Sequence, residues 1–182
     1  MQFKQDLMSP MERMETLFRY GRPDRVPINM ITVGFVCKNT GRTVADGYGD
    51  PEAFFNAFLW TAEQYGWDSV PQNCPHTILG APDFGGGVRF PTGEFEGAMV
   101  ITSYPVQTEE DVEKLELPDP AASDRLLKAK RLAAIQKEHG LPVTFVSRSP
   151  LTVAANTCGL EKFFRWTMKE PELCLWMALT PC

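Results

Sequence analysis

Six polar side chains fall where short apolar runs end: Asn29, Asn73, His76, Arg148, Ser149 and Asn156. Their types suit the holding of a polar or anionic small molecule. Arg148 is the only cation among these strand ends. It can anchor a carboxylate or phosphate through its planar set of donors, or it can close its own turn with a salt bridge. His76 can shuttle a proton or donate to a substrate, or it can serve as a structural hydrogen-bonding group. Asn29 either faces the mouth of the fold or bonds loop backbone, and Asn73 follows the second apolar run. Asn156 is a ligand contact or a helix-entry cap. Asp83 reads as a turn residue, and His139, at a helix end, as a structural partner of the carbonyl dipole. No side chain is assigned as catalytic.

The elements that position these residues are strands followed by helices. Pro142 to Val146 reads as a buried strand, ending in the polar turn Ser147-Arg148-Ser149-Pro150 and leading to a helix from about Leu160. Val26–Ile31 and the stretch from Trp67 to Cys74 read as two earlier strands. Strands that are apolar on both faces and alternate with helices predict a parallel α/β fold, with ligands at the carboxyl ends of the strands.

Between the strands, Ser9-Pro10-Met11-Glu12 opens a helix with a capping box, carrying Met14, Leu17 and Phe18 as its apolar face. Residues 32–49, interrupted by Gly34, Gly41, Gly47 and Gly49, predict a long loop. Asp50-Pro51-Glu52 caps a helix that stops at Gly66. Val88–Phe90 and Ala98–Tyr104 predict a β-hairpin. The glycine run 85–87 lacks the spacing of a phosphate-binding loop and reads as turn geometry. Thr108 caps a short helix, and Asp124 to His139 predicts a long amphipathic one. Lys169-Glu170-Pro171-Glu172 divides the last helical stretch in two.

Bulk properties exclude several classes. The net charge of −5 gives no basic footprint for nucleic acid or for an acidic membrane surface. No apolar run reaches the ~18–20 residues of a membrane span. The amino terminus has acid and amide groups where a signal peptide is apolar, so a cytoplasmic protein is expected. Five cysteines, odd in number and without a Cys-x-x-Cys pair, predict reduced core thiols. Two histidines are too few for an ordinary zinc site. The 182 residues suit one domain, residues 1–182.

Four stretches resemble the uroporphyrinogen decarboxylase superfamily, in its branch of cobalamin-dependent methyltransferases, including those that act on methylcobamide and coenzyme M. They are Gly21-Arg22-Pro23-Asp24-Arg25-Val26-Pro27, Tyr65-Gly66-Trp67-Asp68, Leu115-Glu116-Leu117-Pro118-Asp119-Pro120, and Gly140-Leu141-Pro142 running on to Ser149-Pro150-Leu151-Thr152-Val153-Ala154. The resemblance implies a (β/α)8 TIM barrel, of which this chain is the amino-terminal portion: the first three or so βα units plus a β-hairpin. It implies methyl transfer between a corrinoid partner protein, which carries cobalamin, and a thiol, a pterin or an O- or N-methyl substrate. It implies zinc held by a His-x-Cys pair and a later Cys in a carboxyl-terminal half, with no metal ligand in this chain. A homo-oligomer is a further possible assembly.

The decarboxylases themselves carry an arginine-rich segment after the first strand. Ile31-Thr32-Val33-Gly34-Phe35-Val36-Cys37 stands there instead, without the donors that a carboxylate-rich porphyrinogen needs. Porphyrinogen decarboxylation is the alternative reading. A non-catalytic binding module, or a truncated chain with open strand edges, is the third.

Overall fold

The computed structural model of the chain describes residues 6–71, 80–92, 98–119, 121–144 and 148–179. Nine helices and one hairpin are found among them: α1 (Pro10–Phe18), α2 (Gly34–Asn39), α3 (Val44–Gly49), α4 (Pro51–Tyr65), β1 (Gly87–Arg89), β2 (Val100–Ser103), α5 (Glu109–Glu113), α6 (Asp124–Glu138), α7 (Pro150–Cys158), α8 (Leu160–Lys169) and α9 (Pro171–Leu179).

Local chemistry sets the helix ends. Ser9 and Glu12 form the expected capping box on α1, and Thr43 with Asp46 forms another on α3. Asp50 accepts from the N–H groups of Glu52 and Ala53 at the start of α4, and Gly66, at φ +65°, ends it. Glu170-Pro171 separates α8 from α9.

Helix α4 is the hub of the first half. Phe54, Ala57, Phe58 and Ala62 pack with Val36 of α2, while Phe55 packs with Leu132 and Ile135 of α6. A second core joins Val106, Val112, Ala154, Cys158, Phe163, Cys174 and Met177 across α5, α7, α8 and α9.

Four sequence expectations need correction. The predicted loop over 32–49 contains α2 and α3. Gly34, Gly47 and Gly49 lie within these helices, and Gly47 permits close approach, since a Cβ on it would lie 2.6 Å from Cys37 Sγ, whereas Gly41, at φ +68°, turns the chain between them. The apolar face expected on α1 is largely solvent-exposed, and the fully buried residue of that helix is Arg13. The helix expected from about Leu160 is α8, which begins there, but the apolar stretch before it is a helix of its own, α7, because Ser149-Pro150 supplies an N-cap and a first-turn proline and Gly159 then divides the two.

The fourth correction concerns the sheet. Among the described residues, the only ladder is the antiparallel β1–β2 hairpin. Segments 26–31, 67–71 and 141–144 carry no strand assignment. Side chains take their donors. The Ile28 N–H donates to Asp68 Oδ2 at 2.7 Å, the Met30 N–H to Ser69 Oγ at 2.5 Å, and the Thr144 N–H to Gln136 Oε1 at 3.2 Å. One backbone bond, from the Asp68 N–H to the Ile28 carbonyl at 2.8 Å, joins the first two segments. Pro27, Pro71 and Pro142 offer no N–H at all. Asn73, Cys74 and the end of the third predicted strand lie outside the described residues.

Candidate functional site

Arg148, Ser149 and Asn156 are brought together by α7. Ser149 is its N-cap, accepting from the Thr152 N–H at 3.2 Å and lying 2.9 Å from the Thr152 hydroxyl. Arg148 is exposed immediately before it, and Asn156 is half-buried farther along the helix. Gly80 packs against that helix with φ +117°. A Cβ there would sit 2.7 Å from the Val153 carbonyl and 2.8 Å from Asn156 Cβ. The chain emerging from 72–79 is thereby pressed onto α7 beside Asn156. Asn73 and His76 fall within 72–79, outside the described residues. Asn29 is exposed on a different segment, between the two N–H groups held by Asp68 and Ser69.

A cavity of about 520 Å3 opens between the hairpin and the amino end of α6. Its apolar wall includes Pro82, Val88, Phe90, Met99 and Pro118, and its polar wall Asp83, Asp124, Arg125 and Lys128. The chain reverses at His139 and Gly140, where Gly140 has φ +66°. The amino end of α6 thus lies at the same end as the carboxyl end of segment 141–144, the end where ligands bind in α/β folds.

Asp83 does more than turn the chain. It accepts from the Gly80 N–H at 3.1 Å and pairs with Arg125 Nε at 2.8 Å. That pairing spans 42 residues and has no local sequence signal. Arg125, Lys128 and Phe90 were therefore missed by a search of strand ends alone. His139 is the C-cap of α6, with its ring 4.8 Å from that of Phe55.

The opposite end holds a network of charges. Arg13, fully buried, donates to Asp24 through Nε at 2.6 Å and Nη2 at 2.9 Å, to the Met8 carbonyl at 2.7 Å, and to Asp68. Arg25 reaches Asp68 Oδ2 at 2.5 Å and Asp6 Oδ1 at 2.9 Å. The Arg13 guanidinium holds the Asp24 carboxyl well below the usual carboxylate range. Burial opposes ionisation of Asp68, but bonds from Arg25, the Ile28 N–H and Arg13 outweigh it and lower its pKa. Each charge has a partner, so this network fixes α1 and the motif around Asp24 to the start of segment 67–71 rather than doing chemistry.

Among the described residues, no group of three or more His, Cys, Asp or Glu side chains could hold a metal. Cys37, Cys158 and Cys174 are buried, as expected of core thiols. Burial pushes the Cys158 thiol up to about 11 and raises those of Cys37 and Cys174 as well. A metal ligand or nucleophile needs the reverse shift. No helix among the described residues is long and apolar enough to cross a membrane.

Among solved structures, a methyltransferase from Methanosarcina mazei is similar at a TM-score of 0.72 and 18% sequence identity, over 94% of this chain and 51% of that one. The chain thus spans about half the length of that structure. No curated protein sequence matches. Residues 9–177 match the model of the family described as uroporphyrinogen decarboxylase (URO-D), and the chain belongs to that family.

Proposed function

We propose that the protein is a methyltransferase of the URO-D family, and that this chain supplies the first three or so βα units and a hairpin of its (β/α)8 barrel. The observation that carries this reading is the likeness to the M. mazei methyltransferase over nearly the whole chain. The absence of arginine from residues 31–37 supports it against the decarboxylase reading, since anion-rich porphyrinogens call for several such donors.

In this reading a corrinoid protein docks at the carboxyl ends of the barrel strands, and a thiol, pterin or O- or N-methyl substrate occupies the mouth. The corrinoid supplies a cobalt-bound methyl carrier when docked. Arg148 holds an anionic group of the substrate at the entrance. Asn29, Asn73 and Asn156 orient it by hydrogen bonds, Ser149 keeps the entry to α7 in place, and His76 holds or moves a proton on the acceptor. The described residues do not fit zinc, which in this reading is held by a carboxyl-terminal half. The protein works in the cytoplasm.

The test is methyl transfer by the full-length protein from methylcobalamin to a panel of thiols and pterins. Transfer to one of them is expected, and Arg148→Gln should raise KM for an anionic acceptor more than it lowers kcat. No transfer to any acceptor, or turnover of uroporphyrinogen to coproporphyrinogen, would overturn the reading.

A further inference from the structure

We propose that the cavity between the β1–β2 hairpin and the first turns of α6 binds a small apolar monocarboxylate, held by Arg125 and Lys128 against the wall of Val88, Phe90 and Met99. At about 520 Å3 the cavity lies within the range of small-molecule pockets, ~300–1,000 Å3.

The guanidinium of Arg125 is under-used. Among the described residues it bonds only through Nε, to Asp83 Oδ1 at 2.8 Å. Among the described residues neither of its Nη groups has an acceptor, and a pair of parallel donors of that kind matches the two oxygens of a carboxylate. Lys128 lies three residues on, on the same helix face. Its partner Asp124 is 78% exposed, and such surface pairs are weak, so Lys128 can turn to a buried anion.

The acids lining the cavity are already engaged. Asp83 takes the Gly80 N–H and Arg125, Asp119 takes the Ala121 N–H at 2.8 Å, and Asp124 takes Lys128 at 2.8 Å. Their presence selects against a polyanion such as phosphate, because three carboxylates face two cations. A single carboxylate on an apolar body satisfies both walls. The remaining polar wall repels a second negative charge, and the apolar wall gains from desolvation.

The test is isothermal titration calorimetry on the full-length protein with benzoate, its uncharged counterpart benzamide, and inorganic phosphate. It reads binding alone and stands whether or not methyl transfer is found. Benzoate should bind saturably, benzamide about tenfold more weakly or worse, and phosphate not at all. Arg125→Gln should weaken benzoate by about tenfold and leave benzamide unchanged. Asp83→Asn should not weaken benzoate, since it removes a competitor for Arg125. If Arg125→Gln fails to fold, Phe90→Ala serves, and should weaken both organic probes. Equal affinity for benzoate and benzamide, no heat with benzoate at millimolar concentration, phosphate binding as tight as benzoate, or unchanged benzoate affinity in Arg125→Gln or in Phe90→Ala would each overturn the proposal.

Discussion

Asp68 is a buried carboxylate that serves two arginines and a backbone N–H at once. Removing one member of such a set leaves the others charged and out of water. Asp68→Ala should therefore lower the unfolding free energy by ~3–5 kcal/mol, read by urea denaturation, and a loss under ~1 kcal/mol would show the network to be dispensable. The same residues set the acid limb of stability. Asp24 and Asp68 ionise more readily in the folded chain than in the unfolded one. Their contribution is thus present above the ordinary carboxylate value of about 3.9 and is lost as pH falls through their lower folded values. Denaturation midpoints should hold steady from neutral pH to about 5 and then drop, and Asp68→Asn should flatten that drop. The stretch Gly-Arg-Pro-Asp-Arg was legible as a family motif, but what Asp24 and Arg25 do was not. Their partners Arg13, Asp6 and Asp68 are brought to them only by the folded chain.

At the scale of elements, helices were legible wherever a cap and a period coincided. Ser9 with Glu12, Asp50 with Gly66, Thr108, and Asp124 to Gly140 all mark real ends. The hairpin was legible from its turn residues. Helices α2 and α3 were not, because each is short and their glycines read as breakers, and the packing of Gly47 against Cys37 is a contact that only the fold supplies. Of the predicted parallel strands, the described residues 26–31, 67–71 and 141–144 carry no ladder, since prolines and side-chain acceptors take up their backbone groups. Of the site, Ser149 and Asn156 lie together on α7, whereas the Asp83–Arg125 pair depends on a long-range contact that no local pattern encodes. Two substitutions test these elements. Ser149→Ala should cost about 1 kcal/mol through the lost cap of α7, measured by thermal unfolding. Gly80→Ala should cost ~1–3 kcal/mol from its left-handed backbone, besides the clash with the Val153 carbonyl. No loss in the second would mean that the contact with α7 yields easily.

The whole molecule presents much apolar surface. Val26, Ile31, Val143, Leu151, Leu160, Phe164, Leu175 and Leu179 are all more than half exposed. Apolar side chains exposed in this number offer surface that association can bury. The 182-residue chain by itself should associate, with a mass by light scattering that rises with concentration. A monodisperse monomer would count against that. One consequence of the side-chain bonds between segments 26–31 and 67–71 concerns alignment. A backbone ladder presents equivalent donors at every second residue and can slip along its neighbour. A carboxylate on Asp68 and a hydroxyl on Ser69, each holding one particular N–H, have no equivalent two residues away. The two segments are thus held in a single alignment by side chains, without a ladder.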